Sequence, residues 1–157
     1  MAIRQIRYEG DDILRKKCKE VKSMNERTLQ LIDDMFETMY EANGVGLAAP
    51  QVGILKRIVV IDVDDGNPLV LINPVIESAD GEQTGDEGCL SLPGQSATVI
   101  RPNHVVCRAL NEEMEEIVVE GTELLARAIC HEVEHLDGIL YTDRMEPGTL
   151  HSVESAQ

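Results

Sequence analysis

The stretch Gly121-Thr122-Glu123-Leu124-Leu125-Ala126-Arg127-Ala128-Ile129-Cys130-His131-Glu132-Val133-Glu134-His135 predicts one α-helix that carries two histidines in its last turns. Thr122 can cap this helix, and Glu123 suits its positive N-terminal end. Gly138 supplies the expected left-handed stop. Apolar residues recur at helical spacing, which predicts a buried stripe of Leu124, Leu125, Ala128, Ile129 and Leu136. We therefore expect both histidines on a buried or half-buried helix.

His131, Glu132 and His135 have the spacing of a catalytic metal site. A helix places residues four apart on one face, so both imidazoles can give a neutral ring nitrogen to one divalent ion. Glu132, about 100° round the helix, can hold an attacking water and shuttle its proton. The pattern predicts metal-dependent hydrolysis rather than metal storage.

Two histidines leave a metal ion short of ligands, and Cys89 is the candidate for the third. It follows Gly88 in a polar, turn-rich stretch, whereas a structural cysteine more often lies in an apolar run, as Cys107 does. Two imidazoles and one thiolate would leave a fourth position open, as catalytic sites do. The residues alone leave both roles of Cys89 open.

The segment Gly44-Val45-Gly46-Leu47-Ala48-Ala49-Pro50-Gln51-Val52-Gly53 combines two close glycines, small residues, a proline and one side-chain amide. Such a run lets a backbone approach a ligand closely. A tight connection is the alternative, because a helix is expected to end at Asn43-Gly44 and a strand to begin near Ile58. Taken alone, the segment favours the connection.

Three segments together resemble the peptide deformylase family, whose members remove the formyl group from the N-terminal methionine of new bacterial or organellar proteins. They are 44–51, Glu87-Gly88-Cys89-Leu90-Ser91, and His131-Glu132-Val133-Glu134-His135, in the family's order and at similar spacing. The resemblance covers nearly the whole chain, and three matches in order are far more specific than any one.

The resemblance implies one ferrous ion per chain, bound by Cys89, His131 and His135 with a water or hydroxide in the fourth position. Zinc, nickel or cobalt can replace iron in preparations, because the same donors also accept those metals. Glu132 would accept a proton as the hydroxide attacks the formyl carbon, and would then protonate the departing amine.

The same resemblance assigns the remaining parts of the site. The side-chain amide of Gln51 and the backbone N–H of Leu90 would stabilise the oxyanion. The backbone of Gly44, Val45 and Gly46 would pair with an extended N-formylmethionyl nascent peptide. The methionine side chain would enter a pocket formed by Val45, Leu92, Ala128 and Ile129.

The chain departs from the family pattern at several places. Glu134 stands where many members have aspartate, and it would be either an acceptor for a ligand imidazole or a solvated carboxylate. Cys130 replaces a common glutamine and is expected to be packed rather than ligating. Residues 94–97 lack the arginine that some bacterial members place near the substrate. Residues 148–157 contain no Lys or Arg, unlike the basic helix with which bacterial members often dock on the ribosome.

Composition agrees with one soluble domain over residues 1–157. The net charge of −15, from 14 basic and 29 acidic residues, argues against direct nucleic-acid binding and allows only a transient ribosome contact. No apolar stretch reaches membrane-spanning length and no signal-peptide core is present, so we expect a cytoplasmic location. The cysteines at 18, 89, 107 and 130 lack disulfide spacing and are expected to be reduced.

The pattern of elements predicts an α+β fold. A helix is expected over residues 25–42, with a buried stripe of Leu29, Ile32, Met35, Phe36 and Met39. Strands are expected at 58–63 and 69–73 as a hairpin across the turn 64–68, and further on at 98–100, 104–110 and 115–119. The family fold implies mixed or antiparallel sheets wrapped around a central helix that carries the His-Glu-x-x-His motif.

Two other functions use the same helix. A zinc endopeptidase would cleave internal bonds of unformylated, N-blocked peptides. A non-catalytic metal-binding or structural protein would have a filled coordination shell and would keep its function after Glu132→Gln.

Overall fold

The computed structural model describes residues 2–153, which form an α+β fold with antiparallel sheets, as predicted. The α-helices of this part are α1 (Glu26–Glu41) and α2 (Glu123–His135). The strands are β1 (Gly46–Ala48), β2 (Ile58–Ile61), β3 (Leu69–Asp80), β4 (Gln83–Cys89), β5 (Leu92–Arg101), β6 (His104–Leu110), β7 (Glu116–Thr122) and β8 (His151–Ser152). One sheet has the order β1-β2-β3-β6-β7 and the other β4-β5-β8, and all these pairings are antiparallel.

Helix α1 has the predicted extent but a different buried face. The side chain of Asn25 accepts a hydrogen bond from the backbone N–H of Thr28 and caps the helix, which ends before Asn43 in the left-handed conformation. Leu29 is 40% exposed, so its place in the predicted stripe is wrong. Leu31 is buried instead, because the helix turns the face that carries Leu31, Ile32 and Met35 toward the sheet.

The predicted hairpin of β2 and β3 is confirmed, with Ile58 paired to Ile72. Strand β3 continues to Asp80, well past the predicted end at Asn73. The register of β3 against β6 shifts between Ile72 and Val75, where Asn73 has a positive φ and Pro74 follows. A proline that would end a regular strand is therefore accommodated in an irregularity of the ladder.

Strand β4 was not predicted from the sequence. Its residues include Gly85, Asp86 and Gly88, which have low strand propensity, so the stretch was interpreted as turn-rich. The stretch forms a strand because it pairs with β5, with Gln83 opposite Arg101 at one end and Cys89 opposite Leu92 at the other. Cys89 is therefore the last residue of a strand rather than part of a turn.

Helix α2 begins at Glu123, directly after β7, and Thr122 occupies its N-cap position as predicted. The side chain of Thr122 makes no capping hydrogen bond, so only the position of the predicted cap is confirmed. Leu124 is 49% exposed and is also wrongly placed in the buried stripe. Gly138 has the predicted left-handed conformation with φ of 78°, and a Cβ there would lie 2.5 Å from the carbonyl oxygen of Arg15.

Helix α2 contacts both sheets. Its apolar residues share a core with strands β2, β3 and β6 of the five-stranded sheet, and those helix residues are Ala126, Ala128, Ile129 and Cys130. The side chain of Arg127 reaches the three-stranded sheet, where it donates to the carbonyl oxygen of Val99. This packing places the last turns of α2 next to the end of β4. No helix within residues 2–153 is long and apolar enough to cross a membrane.

The cysteines are free, as predicted. Cys130 is buried in the core beside Cys107, which confirms that it is packed.

Candidate metal centre

Three donor atoms converge where α2 meets β4. The Nε2 atom of His135 lies 3.2 Å from Nε2 of His131 and 3.3 Å from Sγ of Cys89, and all three donors lie within 4.8 Å of one another. An ion with tetrahedral ligands at about 2.0–2.3 Å holds those ligands about 3.3–3.8 Å apart. Two imidazoles and a thiol at these separations fit one divalent ion.

Glu87 orients the first histidine. Its Oε2 atom lies 2.5 Å from Nδ1 of His131, so Nδ1 carries the proton and Nε2 faces the other two donors. This contact was missed from the sequence, although alternation along β4 puts Glu87 on the same face as Cys89. Glu134 has neither predicted role, because it accepts from Nη1 of Arg101 at 2.8 Å and from Nε of Arg144 at 2.9 Å.

Two arginines hold Glu87 in turn. Arg101 donates to Oε1 and Oε2 of Glu87 at 3.0 and 2.6 Å, and Arg127 donates to Oε1 at 2.8 Å. Burial alone would raise the pKa of Glu87, but the hydrogen bonds from His131 and Arg101 outweigh it and hold that pKa well below its usual range. Glu87 is therefore a charged acceptor that keeps its hydrogen bond to His131 across the whole neutral pH range.

Glu132 is the other buried carboxylate of the site. It is 4% exposed, its Oε1 atom has no partner among the described residues, and its Oε2 atom lies 3.9 Å from Nε2 of His131. Burial raises the pKa of Glu132 to about 7, although His131 opposes the shift. A Cβ on Gly46 would lie 2.6 Å from Oε2 of Glu132, so the carboxylate occupies space that only glycine leaves.

Gln51 is held with its amide N–H group toward the thiol. Its Oε1 atom accepts from the backbone N–H of Ala48 at 2.9 Å, which assigns the amide orientation. Its Nε2 atom donates to Oγ of Ser91 at 3.0 Å and lies 3.5 Å from Sγ of Cys89. The sequence did not single out Ser91, which is fully buried.

A cavity of about 400 Å³ opens beside these groups. Gly44, Val45 and Gly46 line one wall, and His131 and Glu132 line another, with the rest formed by residues that include Gly88, Cys89, Leu90, Leu92, Leu124 and Ala128. Ile129 does not line it and is fully buried in the core, so its predicted place in the pocket is wrong. The side chain after Ala128 points about 100° away round the helix, into the sheet.

Residues 3–150 match the model of the family described as polypeptide deformylase. The chain belongs to the polypeptide deformylase family. It is 63% identical over 153 residues to the peptide deformylase of Agathobacter rectalis, a match that covers 98% of this chain and 96% of that protein. It is 61% identical over 144 residues to that of Clostridium botulinum, covering 92% of this chain and 97% of the relative.

Solved structures of deformylases have the same fold as this chain. A peptide deformylase from Legionella pneumophila superposes with a TM-score of 0.89 at 44% identity, covering 92% of this chain and 87% of that one. A peptide deformylase from Synechococcus elongatus, in complex with actinonin, gives 0.88 at 44% identity and covers 92% and 79%. The predicted family and the predicted enzyme class, peptide deformylase, are confirmed.

The other histidines of the chain lie apart from the candidate metal centre. His104 lies between the carboxylates of Asp80 and Glu120 on the surface of the five-stranded sheet. His151 is exposed and bonds the carbonyl oxygen of Thr149. Neither side chain is buried.

Proposed function

We propose that this protein removes the formyl group from the N-terminal methionine of newly synthesised polypeptides and releases formate. The observation that carries the proposal is the convergence of Cys89, His131 and His135 beside Glu132, a buried carboxylate with a free oxygen, at the wall of an open cavity. The family membership supports the choice of a formylated peptide as substrate.

The ligands of the ion in this proposal are Sγ of Cys89 and Nε2 of His131 and His135. A divalent ion in such a site acts as a Lewis acid and lowers the pKa of bound water. Imidazole and thiolate donors also accept zinc, nickel and cobalt, so the proposal of ferrous iron rests on the family resemblance rather than on the donors. In this reading α2 is the central, metal-bearing helix of the fold.

Glu132 is the proton carrier. Its free Oε1 atom takes a proton from the attacking water and returns it to the departing amine. Burial raises the pKa of Glu132, and a carboxyl group whose pKa is raised toward neutrality accepts a proton from water more readily.

Gln51 and Leu90 bind the oxygen on which charge develops. The amide oxygen of Gln51 accepts a hydrogen bond from the backbone N–H of Ala48, which holds the amide N–H group beside Cys89. The side chain therefore need not reorient during the reaction. The backbone N–H of Leu90, the residue after Cys89, is the second donor in this proposal, and Leu90 lines the same cavity. Donors fixed in advance in a dry site stabilise an oxyanion more than mobile water does.

The peptide pairs with the backbone of Gly44, Val45 and Gly46. Strand β1 lies at the end of the five-stranded sheet and pairs only with β2 among the described residues, so its other edge is open to an extended chain beside the cavity. Main-chain pairing accepts any downstream sequence, while the methionine side chain enters the cavity against Val45, Leu92 and Ala128.

We place the reaction in the cytoplasm, with residues 1–157 as one catalytic domain and nascent chains as the partners. Residues 148–157 contain neither Lys nor Arg, so these residues do not favour contact with ribosomal RNA. Residues 154–157 of that tail lie outside the described part of the chain.

The test is formate release from formyl-Met-Ala-Ser by protein loaded anaerobically with ferrous iron. Glu132→Gln should lower the rate by about 10²–10⁴-fold while metal binding remains, because only the proton carrier is lost. Cys89→Ser should lose both metal affinity and activity. Iron-bound wild type that releases no formate would overturn the proposal.

Two controls separate the alternatives. An N-acetylated peptide should stay intact, whereas its internal cleavage would favour the endopeptidase. Full function in Glu132→Gln would favour a non-catalytic metal protein.

A further inference from the structure

Arg127 is a buried arginine on the face of α2 that looks toward the metal centre. Its side chain is 9% exposed, and all three guanidinium nitrogens are engaged. Nη1 donates to Oε1 of Glu87 at 2.8 Å, Nη2 to the carbonyl oxygen of Val99 at 3.1 Å, and Nε to Oε1 of Gln83 at 3.3 Å. The residue therefore joins α2 to both β4 and β5.

The contacts form two parallel links between α2 and β4. Arg127 and His131 are one helical turn apart on α2, and Glu87 and Cys89 are two residues apart on β4. Arg127 bonds Glu87 in the first link, and His131 faces Cys89 in the second. The pairing of β4 with β5 shifts register between Glu87 and Cys89. The hydrogen bonds between these two strands therefore do not by themselves fix the position of the Cys89 thiol relative to α2.

Arg101 holds the same carboxylate in a different way. It lies on β5, in the same sheet as Glu87, and its direct hydrogen bond to α2 among residues 2–153 is with Glu134. Glu134 also binds the exposed Arg144. Arg127, by contrast, is on the helix that carries His131. Arg127 therefore links that helix directly to Glu87, in addition to the hydrogen bond from His131.

We propose that Arg127 is a positioning residue of the metal centre. It holds Glu87 at the place where its Oε2 atom accepts the Nδ1 proton of His131, so that Nε2 of His131 faces Cys89 and His135. The inference rests on the proposed function in one respect, that His131 is a metal ligand. Without Arg127, Glu87 remains paired with Arg101, and the carboxylate can move with the three-stranded sheet.

Arg127 also lines the cavity, so a role in peptide binding is the alternative to a role through Glu87. Its three nitrogens already bond protein oxygens on β4 and β5. A role in peptide binding would raise KM alone, whereas a role through Glu87 lowers metal affinity in the absence of any peptide.

The experiment compares Arg127→Met with Arg144→Met, using cobalt as the probe. Arg144 pairs with Glu134, which lies on α2 as Arg127 does. The Arg144 side chain is 50% exposed and makes no contact with Glu87. Competition with a chelator should show cobalt affinity lowered about 10–100-fold in Arg127→Met, the usual cost of losing a partner behind a ligand. Its visible cobalt spectrum should also change, while Arg144→Met stays within about twofold of wild type.

Wild-type cobalt affinity and spectrum in Arg127→Met, or an effect on KM alone, would overturn the inference. If Arg127→Met does not fold, Arg127→Lys serves in its place. A lysine keeps the charge but cannot bond Glu87 and Val99 together, so affinity should fall at least about threefold. An unchanged affinity in that variant would overturn the inference equally. Failure of wild type to bind cobalt or to release formate would instead overturn the proposed function.

Discussion

At the residue scale, the position of Glu132 requires a residue without a side chain at Gly46. A Cβ at this position would lie 2.6 Å from Oε2 of Glu132 and 2.9 Å from its Cγ, so Gly46→Ala must displace the carboxylate. A displacement of about 1 Å costs about 10²-fold in rate. We expect kcat/KM for formyl-Met-Ala-Ser to fall by about that factor in Gly46→Ala.

Gly66→Ala is the control for Gly46→Ala. Gly66 has φ of 79° and a Cβ there would meet nothing within 4 Å, so the substitution strains only the backbone. It should lower the free energy of unfolding by about 1 kcal/mol and leave kcat/KM unchanged. Equal activity in the two variants would show that Glu132 tolerates the displacement.

At the element scale, a buried carboxylate is one of the groups that tie the N-terminal arm to α1. Asp34 is 4% exposed and accepts from the backbone N–H of Ala2 at 2.7 Å, from Nε2 of Gln30 at 2.8 Å and from Nε of Arg4 at 2.9 Å. Burial would raise the pKa of Asp34, but these hydrogen bonds outweigh it and lower that pKa from its ordinary value of 3.8.

A lowered carboxyl pKa stabilises the folded state above the unfolded pKa, and this contribution disappears as pH falls through the folded value. Asp34→Asn should therefore lower the free energy of unfolding at pH 7 by about 1.5–3 kcal/mol, the usual worth of hydrogen bonds to a charged group. The difference from wild type should shrink below pH 3.8. Urea unfolding at pH 7 and near pH 3 measures it, with the exposed neighbour Asp33→Asn as the control. A difference that does not change with pH would contradict the assignment.

At the scale of the whole molecule, the proposed metal centre joins parts of the chain that lie far apart in sequence. Cys89 belongs to the three-stranded sheet, while His131 and His135 belong to the helix that packs on the five-stranded sheet. An ion that binds only the folded state stabilises it by about 4 kcal/mol at a thousand times its Kd. Chelation should therefore lower the thermal midpoint of wild type. The midpoint of Cys89→Ser should respond little, and an equal response would contradict this ligand set.

Much of the fold follows from local pattern. Periodic apolar residues predict α1 and α2, the hairpin of β2 and β3 follows from two apolar runs around a turn, and the spacing of His131 and His135 predicts a shared metal. Exposure was harder to predict. Leu29 and Leu124 have the spacing of a buried stripe and are exposed, because the packing partner decides how far round a helix the buried face extends.

The sequence by itself determined the family, the helices and the residue types able to bind a metal, because these depend on short-range periodicity and on motifs. The tertiary structure decided which groups meet. Strand β4 is ordered by its pairing with β5, and Glu87 is 40 residues from Arg127 and 44 from His131. Contacts over such separations depend on how helix and sheet pack, and a buried charge can be assigned its partners only when both elements are in place.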